Sequence, residues 1–184
     1  MLHIIDDEEV VRDSLSWLAA SRSIDARIYA SAQQFLDSLD GNFDAAGDCV
    51  LLDVRMPDMN GIAMFDQLVK RDLTARLPVI FLTGHGDVPM AVDSLKRGAF
   101  DFFEKPFNDN DLMDRVQQGL ANSRQAGELA AHLKSCLLRP GVPGKLRKRG
   151  MAQLKRLYKL QGDLDALFAL CRVGNLELAI FLAG

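Results

Sequence analysis

Long apolar runs are missing from this chain of 184 residues. No stretch approaches the roughly 20 consecutive apolar residues of a membrane span, which argues against a membrane partner. The amino terminus is equally poor as a secretory signal, because Asp6 and Asp7 interrupt Leu2-His3-Ile4-Ile5 at once. Cysteine is scarce: Cys49, Cys136 and Cys171 lie far apart, without zinc-type or redox-type spacing. Reduced thiols in a cytoplasmic protein are the plain expectation. His3, His85 and His132 are dispersed, so no His/Cys cluster competes for a soft metal.

What remains is an ordinary globular composition, 48% hydrophobic and 26% charged. The formal net charge of −3 hides an asymmetry. Residues 1–124 carry 12 Lys and Arg against 21 Asp and Glu, whereas 125–184 carry 10 against 4. An acidic front and a basic tail suggest two functional parts, the second suited either to an anionic partner or to solvent.

The stretch Cys49 to Gly61 organises the front part. A short apolar run, Cys49-Val50-Leu51-Leu52, stops at Asp53 and then passes through Met56-Pro57 and Asn60-Gly61. Such a run, bounded by turn residues, predicts a strand buried on both faces. Asp53 then stands at the carboxyl end of a central strand, where open α/β sheets keep their chemistry.

The same grammar repeats. Leu2 to Ile5 predicts a strand ending at Asp6-Asp7, followed by a helix with Val11, Leu15 and Leu18 on one face and Glu8 and Glu9 in its first turn. Ile24 to Tyr29 and Ala32 to Leu39 predict the second strand and helix. After the strand ending at Asp53, Met64, Leu68 and Val69 form a helical stripe. Leu77 to Leu82 predicts a strand running into Thr83-Gly84, and Val88 to Arg97 a helix with Val88, Val92 and Leu95 on one side, closed by Gly98. Phe100 to Glu104 predicts a fifth strand before Lys105-Pro106, and a last clear helix starts near Asn108 with Leu112, Val116 and Leu120. Five alternations imply a parallel sheet covered by helices on both faces.

Four of the five strands therefore end in polar groups that share one sheet edge: Asp6-Asp7, Asp53, Thr83 and Lys105. Carboxylates crowded into one cleft repel unless a cation neutralises them, and Mg²⁺ suits an oxygen-rich, shallow cleft. A lysine and a hydroxyl suit phosphate oxygens. The set matches the equipment for phosphoryl transfer onto a carboxylate, which needs positioning and charge neutralisation more than acid–base power.

Asp6-Asp7, the run Asp53 to Gly61, Thr83-Gly84 and Lys105-Pro106 resemble the receiver domain of two-component response regulators, over residues 1 to about 124. Phe81 to Val92 further resembles the FixJ/NarL type. The resemblance implies a flavodoxin-like doubly wound sheet of five parallel strands in the order 2-1-3-4-5, with a helical C-terminal extension. It implies Asp53 as phosphoacceptor, Thr83 and Lys105 as phosphoryl contacts and Phe102 as an aromatic switch. It also implies Mg²⁺ held by Asp7, Asp53 and the main-chain carbonyl of Arg55, with Asp6 assisting through water. A sensor histidine kinase would be the donor, and the face built from the fourth helix, fifth strand and fifth helix a surface for phosphorylation-dependent homodimers. The Lys105-Pro106 bond is often cis in such proteins. Arg55 and His85 flank the cleft. The position two after Asp53 holds Arg55 rather than a second acid, which disfavours a haloacid-dehalogenase-like phosphatase.

Residues 125–184 depart from the family. A FixJ-type chain continues into a LuxR-type helix-turn-helix, and its opening and recognition-helix patterns are not found here. Arg139 to Gly150 reads instead as a basic Pro/Gly loop, followed by helical patterns at Met151 to Leu160 and Leu164 to Arg172 and by the apolar end Leu176 to Leu182. Three readings stay open: a divergent DNA-binding domain with Lys145, Arg147, Lys148 and Arg149 on phosphates, a helical extension for protein contacts, or a frame-altered remnant of an output domain.

Overall fold

The computed structural model describes residues 1–84, 87–138, 140–146 and 148. Among the described residues, five strands alternate with five helices up to Leu137: β1 (Leu2–Ile5), α1 (Glu9–Ser21), β2 (Ala26–Tyr29), α2 (Ala32–Ser38), β3 (Cys49–Asp53), α3 (Gly61–Lys70), β4 (Val79–Thr83), α4 (Val88–Lys96), β5 (Asp101–Glu104) and α5 (Asp109–Leu137). All strand pairs are parallel, in the order β2-β1-β3-β4-β5, as expected. Every residue of β1, β3 and β4 is buried, which explains why these strands read as unbroken apolar runs rather than alternating ones.

Side chains alternate across the sheet and build two cores. Ile5, Val50, Leu52, Val79 and Phe81 pack with Phe35, Met64, Phe65 and Leu68 from α2 and α3. Leu2, Ile4, Leu51, Ile80 and Leu82 pack with Leu15 and Ala19 of α1 and Leu112, Met113 and Val116 of α5. Burial pushes the thiol of Cys49, in this second core, up to about 12.

The structure differs from the sequence expectation in boundaries and in burial. Strand β2 starts at Ala26 rather than Ile24, because the Ile24 N–H donates to the Ala19 carbonyl and closes α1, with Ser23 in the left-handed region at φ 57°. Val92 of α4 is exposed instead of facing inward. Ser94 is buried, and its hydroxyl donates to the Met90 carbonyl and so enters the interior satisfied. Within the stretch read as a basic loop, the described residues are a turn at Pro140-Gly141 and helical at 144–146 and 148. Helix α5 passes residue 124 without a break and continues to Leu137. The helical patterns expected at 151–160 and 164–172, and the apolar end at 176–182, lie outside the described residues, as does His85.

The amino-terminal edge of the sheet is closed by a buried polar network. The His3 ring bridges the Tyr29 hydroxyl at 3.2 Å and the Asp48 carboxylate at 3.0 Å. Asp48 also accepts from the Asp44 N–H, and its own N–H donates to the Ser123 hydroxyl of α5. That hydroxyl donates to the Arg76 carbonyl, while the Arg76 guanidinium donates to the Ser123 carbonyl and lies over the Phe43 ring. Burial raises the Asp48 carboxyl, but the hydrogen bonds from His3 and Asp44 and the charge of His3 outweigh it and hold the group below its ordinary range.

Candidate functional site

Register sets the opposite edge. Pairing aligns Ile5, Leu52, Phe81 and Phe102 in one row across four strands. Asp6, Asp53, Thr83 and Lys105 follow just beyond that row, so the sheet itself brings four expected site residues together. The Lys105 ammonium donates to Asp53 Oδ1 at 2.7 Å and to Asp6 Oδ2 at 3.2 Å. Lys105 follows β5 directly, with its N–H on the Thr83 carbonyl and a cis bond to Pro106 behind it.

Both carboxylates are buried, Asp6 at 1% and Asp53 at 7% exposure. Burial pushes the Asp53 carboxyl above its ordinary range; the hydrogen bond and charge of Lys105 oppose this, the negative charge of Asp6 adds to it, and the Arg55 main-chain N–H opposes it. Burial pulls Lys105 down, yet the hydrogen bonds and charges of Asp53 and Asp6 win and hold its ammonium above the ordinary value.

Thr83 is fully buried, and among the described residues its hydroxyl has no hydrogen-bond partner. A buried hydroxyl left unpaired costs on the order of 1–3 kcal/mol. It lies on β4, the strand next to that of Asp53, and the described residues supply it no acceptor.

The loop after β3 is built around one close approach. The Gly61 N–H donates to the Val54 carbonyl and the Asn60 side chain caps α3. A Cβ at Gly61 would run into the Asp53 carbonyl oxygen, so glycine is what lets α3 start against the end of β3.

Asp7 is exposed at the corner after β1, which is held by Arg12: its guanidinium donates to the Asp6 and Asp7 carbonyls at 2.9 and 3.0 Å. Phe102 is half-buried and packs against the core that contains Phe81. Arg55 extends from the β3–α3 loop and its Nε donates to Asp87 Oδ2 at 2.7 Å, joining the loops after β3 and β4. Sequence reading missed Arg12 and Asp87, since neither falls at a strand end.

Among the described residues, no three His, Cys, Asp or Glu side chains stand close enough to hold a metal ion as arranged. Asp6 and Asp53 are gathered on the Lys105 ammonium instead. The donor chemistry nevertheless fits a hard divalent cation. Two buried carboxylates share one ammonium, Asp7 follows Asp6 directly in the chain, and these three side chains offer only oxygen donors.

Comparison with known proteins places the chain in a family. A family model of the response regulator receiver domain matches residues 2–117. The C4-dicarboxylate transport transcriptional regulatory protein DctR of Rhodobacter capsulatus is 50% identical over 121 residues, 65% of this chain and 59% of its own. The response regulator protein TmoT of Ectopseudomonas mendocina is 36% identical over 177 residues, 92% of this chain and 73% of its own, so that similarity extends past residue 124. The chain spans 59% of DctR and 53% of the transcriptional regulatory protein TdiR of Thauera aromatica, less than two thirds of either. Among solved structures, FixJ-N superposes with a TM-score of 0.58 at 38% identity, covering 65% of this chain and 92% of that one. Full-length FixJ from B. japonicum gives 0.62 at 29% identity, covering 98% and 97%.

Proposed function

Since the chain belongs to the response regulator receiver family, we propose that it is a phospho-switch which accepts a phosphoryl group from a sensor histidine kinase on Asp53. The observation that carries the reading is the pairing of Asp53 with the Lys105 ammonium at 2.7 Å, beside a buried and unpartnered Thr83 hydroxyl.

Lys105 anchors one carboxylate oxygen of Asp53 and orients the group for in-line attack on phosphorus. A new P–O bond forms as the P–N bond to the kinase histidine breaks, and the bonding pair leaves on the imidazole. Asp7, Asp53 and the Arg55 main-chain carbonyl, with Asp6 assisting through water, would hold Mg²⁺, which would supply charge neutralisation for the phosphoryl oxygens. Lys105 and Thr83 then hold the transferred group, Thr83 gaining the acceptor it lacks. Its movement leaves room for Phe102 to turn inward and remodel the face of α4, β5 and α5, on which phosphorylated copies pair. No separate substrate is turned over; the chain catalyses only its own phosphorylation and dephosphorylation.

In this reading residues 1–124 are the phosphoacceptor unit of a cytoplasmic regulator, and 125–184 a basic linker with a helical tail or a degenerate output region. Relatives named as transcriptional regulators support control of transcription, with DNA as the final partner. The second reading, a receiver that acts through protein contacts alone, draws on the missing helix-turn-helix pattern after residue 124.

Incubation with acetyl phosphate and Mg²⁺, followed by intact-mass measurement, tests the assignment. One phosphoryl adduct per chain is expected, lost in Asp53→Asn. An adduct of undiminished yield on Asp53→Asn would overturn it.

A further inference from the structure

Helix α4 begins differently from its neighbours. Ser31, Asn60 and Asn108, which open α2, α3 and α5, have extended backbone, and each accepts a main-chain N–H of its own helix on its side chain. Asp87 opens α4 and does neither. Its backbone is helical, φ −106° and ψ −3°, and its side chain makes no cap hydrogen bond. Aspartate is among the best capping residues, and its charge suits the positive end of the helix dipole. Here that carboxylate is diverted to Arg55 Nε at 2.7 Å, and the Met90 N–H falls back on the Asp87 main-chain carbonyl at 3.0 Å. Pro89 carries no N–H, so Met90 holds the donor that a capping Asp87 would take.

The bridge is unequal at its two ends. The Asp87 side chain is 7% exposed, whereas that of Arg55 is 71% exposed, so the guanidinium is the mobile partner. Arg55 lies two residues beyond Asp53 and also feels the negative charge of that carboxylate.

We propose that Arg55 is an electrostatic latch which holds Asp87 off the α4 N-terminus until a phosphoryl group on Asp53 draws the guanidinium away. The inference rests on Asp53 as the phosphoacceptor. A phosphoryl group offers Arg55 a doubly charged, fork-shaped acceptor that outcompetes a single carboxylate. Asp87, buried and stripped of its partner, then takes the Met90 N–H and turns into an ordinary N-cap, because a buried charge without a partner is costly. The first turn of α4 is thereby rebuilt by a route separate from Thr83 and Phe102.

Proton–nitrogen correlation NMR on the full chain tests this at the Met90 amide. Beryllofluoride with Mg²⁺ is expected to move its proton resonance downfield. Arg55→Gln is expected to show the same displacement with no beryllofluoride present, and Asp87→Ala none in either condition. A Met90 resonance of Arg55→Gln that stays at the wild-type position without beryllofluoride overturns the latch, as does an Asp87→Ala protein that still responds. Arg55 is largely exposed, so its substitution decides the matter even where Asp87→Ala fails to fold. Failure of the phosphoacceptor reading registers separately, as absence of the acetyl phosphate adduct on wild-type protein.

Discussion

The two edges of the sheet hold similar inventories of buried polar groups and treat them in opposite ways. At the amino-terminal edge, His3, Asp48, Ser123 and Arg76 satisfy one another within a closed network. At the carboxyl edge, two buried carboxylates share one ammonium, and among the described residues the Thr83 hydroxyl goes without a partner. Buried polar groups are normally hydrogen-bonded, and exceptions gather where chemistry is done. The first edge ties α5 and the loop before β3 to the sheet. The second leaves a buried hydroxyl unpaired among the described residues, at a cost in stability, and the phosphoacceptor role proposed for Asp53 would give it an acceptor.

Each edge also contains a glycine where a Cβ would strike main chain, and substituting these should give the largest effects. A Cβ at Gly47 would meet the Leu120 carbonyl of α5, at a residue with φ 96°. One at Gly61 would meet the Asp53 carbonyl. Alanine at either site is expected to cost about 3 kcal/mol of unfolding free energy, from overpacking and, at Gly47, backbone strain as well. Only Gly61→Ala should also slow the phosphorylation of its remaining folded fraction, because it displaces Asp53 itself. Urea unfolding and adduct formation measured on both proteins would separate the edges. Equal loss of labelling in the two would erase the distinction.

The hydroxyls make a finer comparison. Ser123→Ala leaves the Asp48 N–H without its acceptor and the Arg76 carbonyl without its donor, with an expected cost of about 1–3 kcal/mol. Thr83→Val keeps the shape and removes only an unpaired hydroxyl. It should leave stability unchanged or raise it by up to about 1 kcal/mol, while shortening the life of the phosphorylated form. Melting curves and adduct decay measure both quantities. A Thr83→Val protein destabilised as much as Ser123→Ala would mean that the Thr83 hydroxyl is satisfied after all.

The carboxyl edge is legible in the sequence because the apolar runs of β1, β3 and β4 are buried on both faces and each ends at a polar residue. Position along the chain therefore reports position in space. The amino-terminal network has no such marker. His3 and Asp48 are 45 residues apart, Asp48 and Ser123 75 apart, and each reads locally as one polar interruption among others. The course of α5 past residue 124 is hidden for a related reason. Gly127 and Ser123 look like weak helix positions, yet they leave space and hydrogen bonds for the Arg76 guanidinium, which packs where a larger residue at 127 would sit. Val92 and Ser94 mislead in the same way, since hydropathy does not reveal that Ser94 can satisfy itself on the Met90 carbonyl.

The smallest effect is the most discriminating, because theory gives it opposite signs at the two edges. Asp48 sits below the ordinary carboxylate value of 3.8, since the hydrogen bonds of its network outweigh its burial. Its contribution to stability is present above that value and lost as pH falls through its folded-state pKa. Asp53 sits above the same value because burial outweighs Lys105. Its contribution is fully present below 3.8 and lost as pH rises through its folded-state pKa. Asp48→Asn should therefore destabilise the protein near neutral pH, with a penalty that fades on acidification. Asp53→Asn should stabilise it near neutral pH, with a gain that shrinks on acidification. Unfolding free energies of the three proteins, from neutral pH down to about pH 3, check the pair. Variants that shift stability in the same direction at neutral pH would show that both edges spend their buried charge alike, and the carboxyl edge would lose its mark as the reactive one.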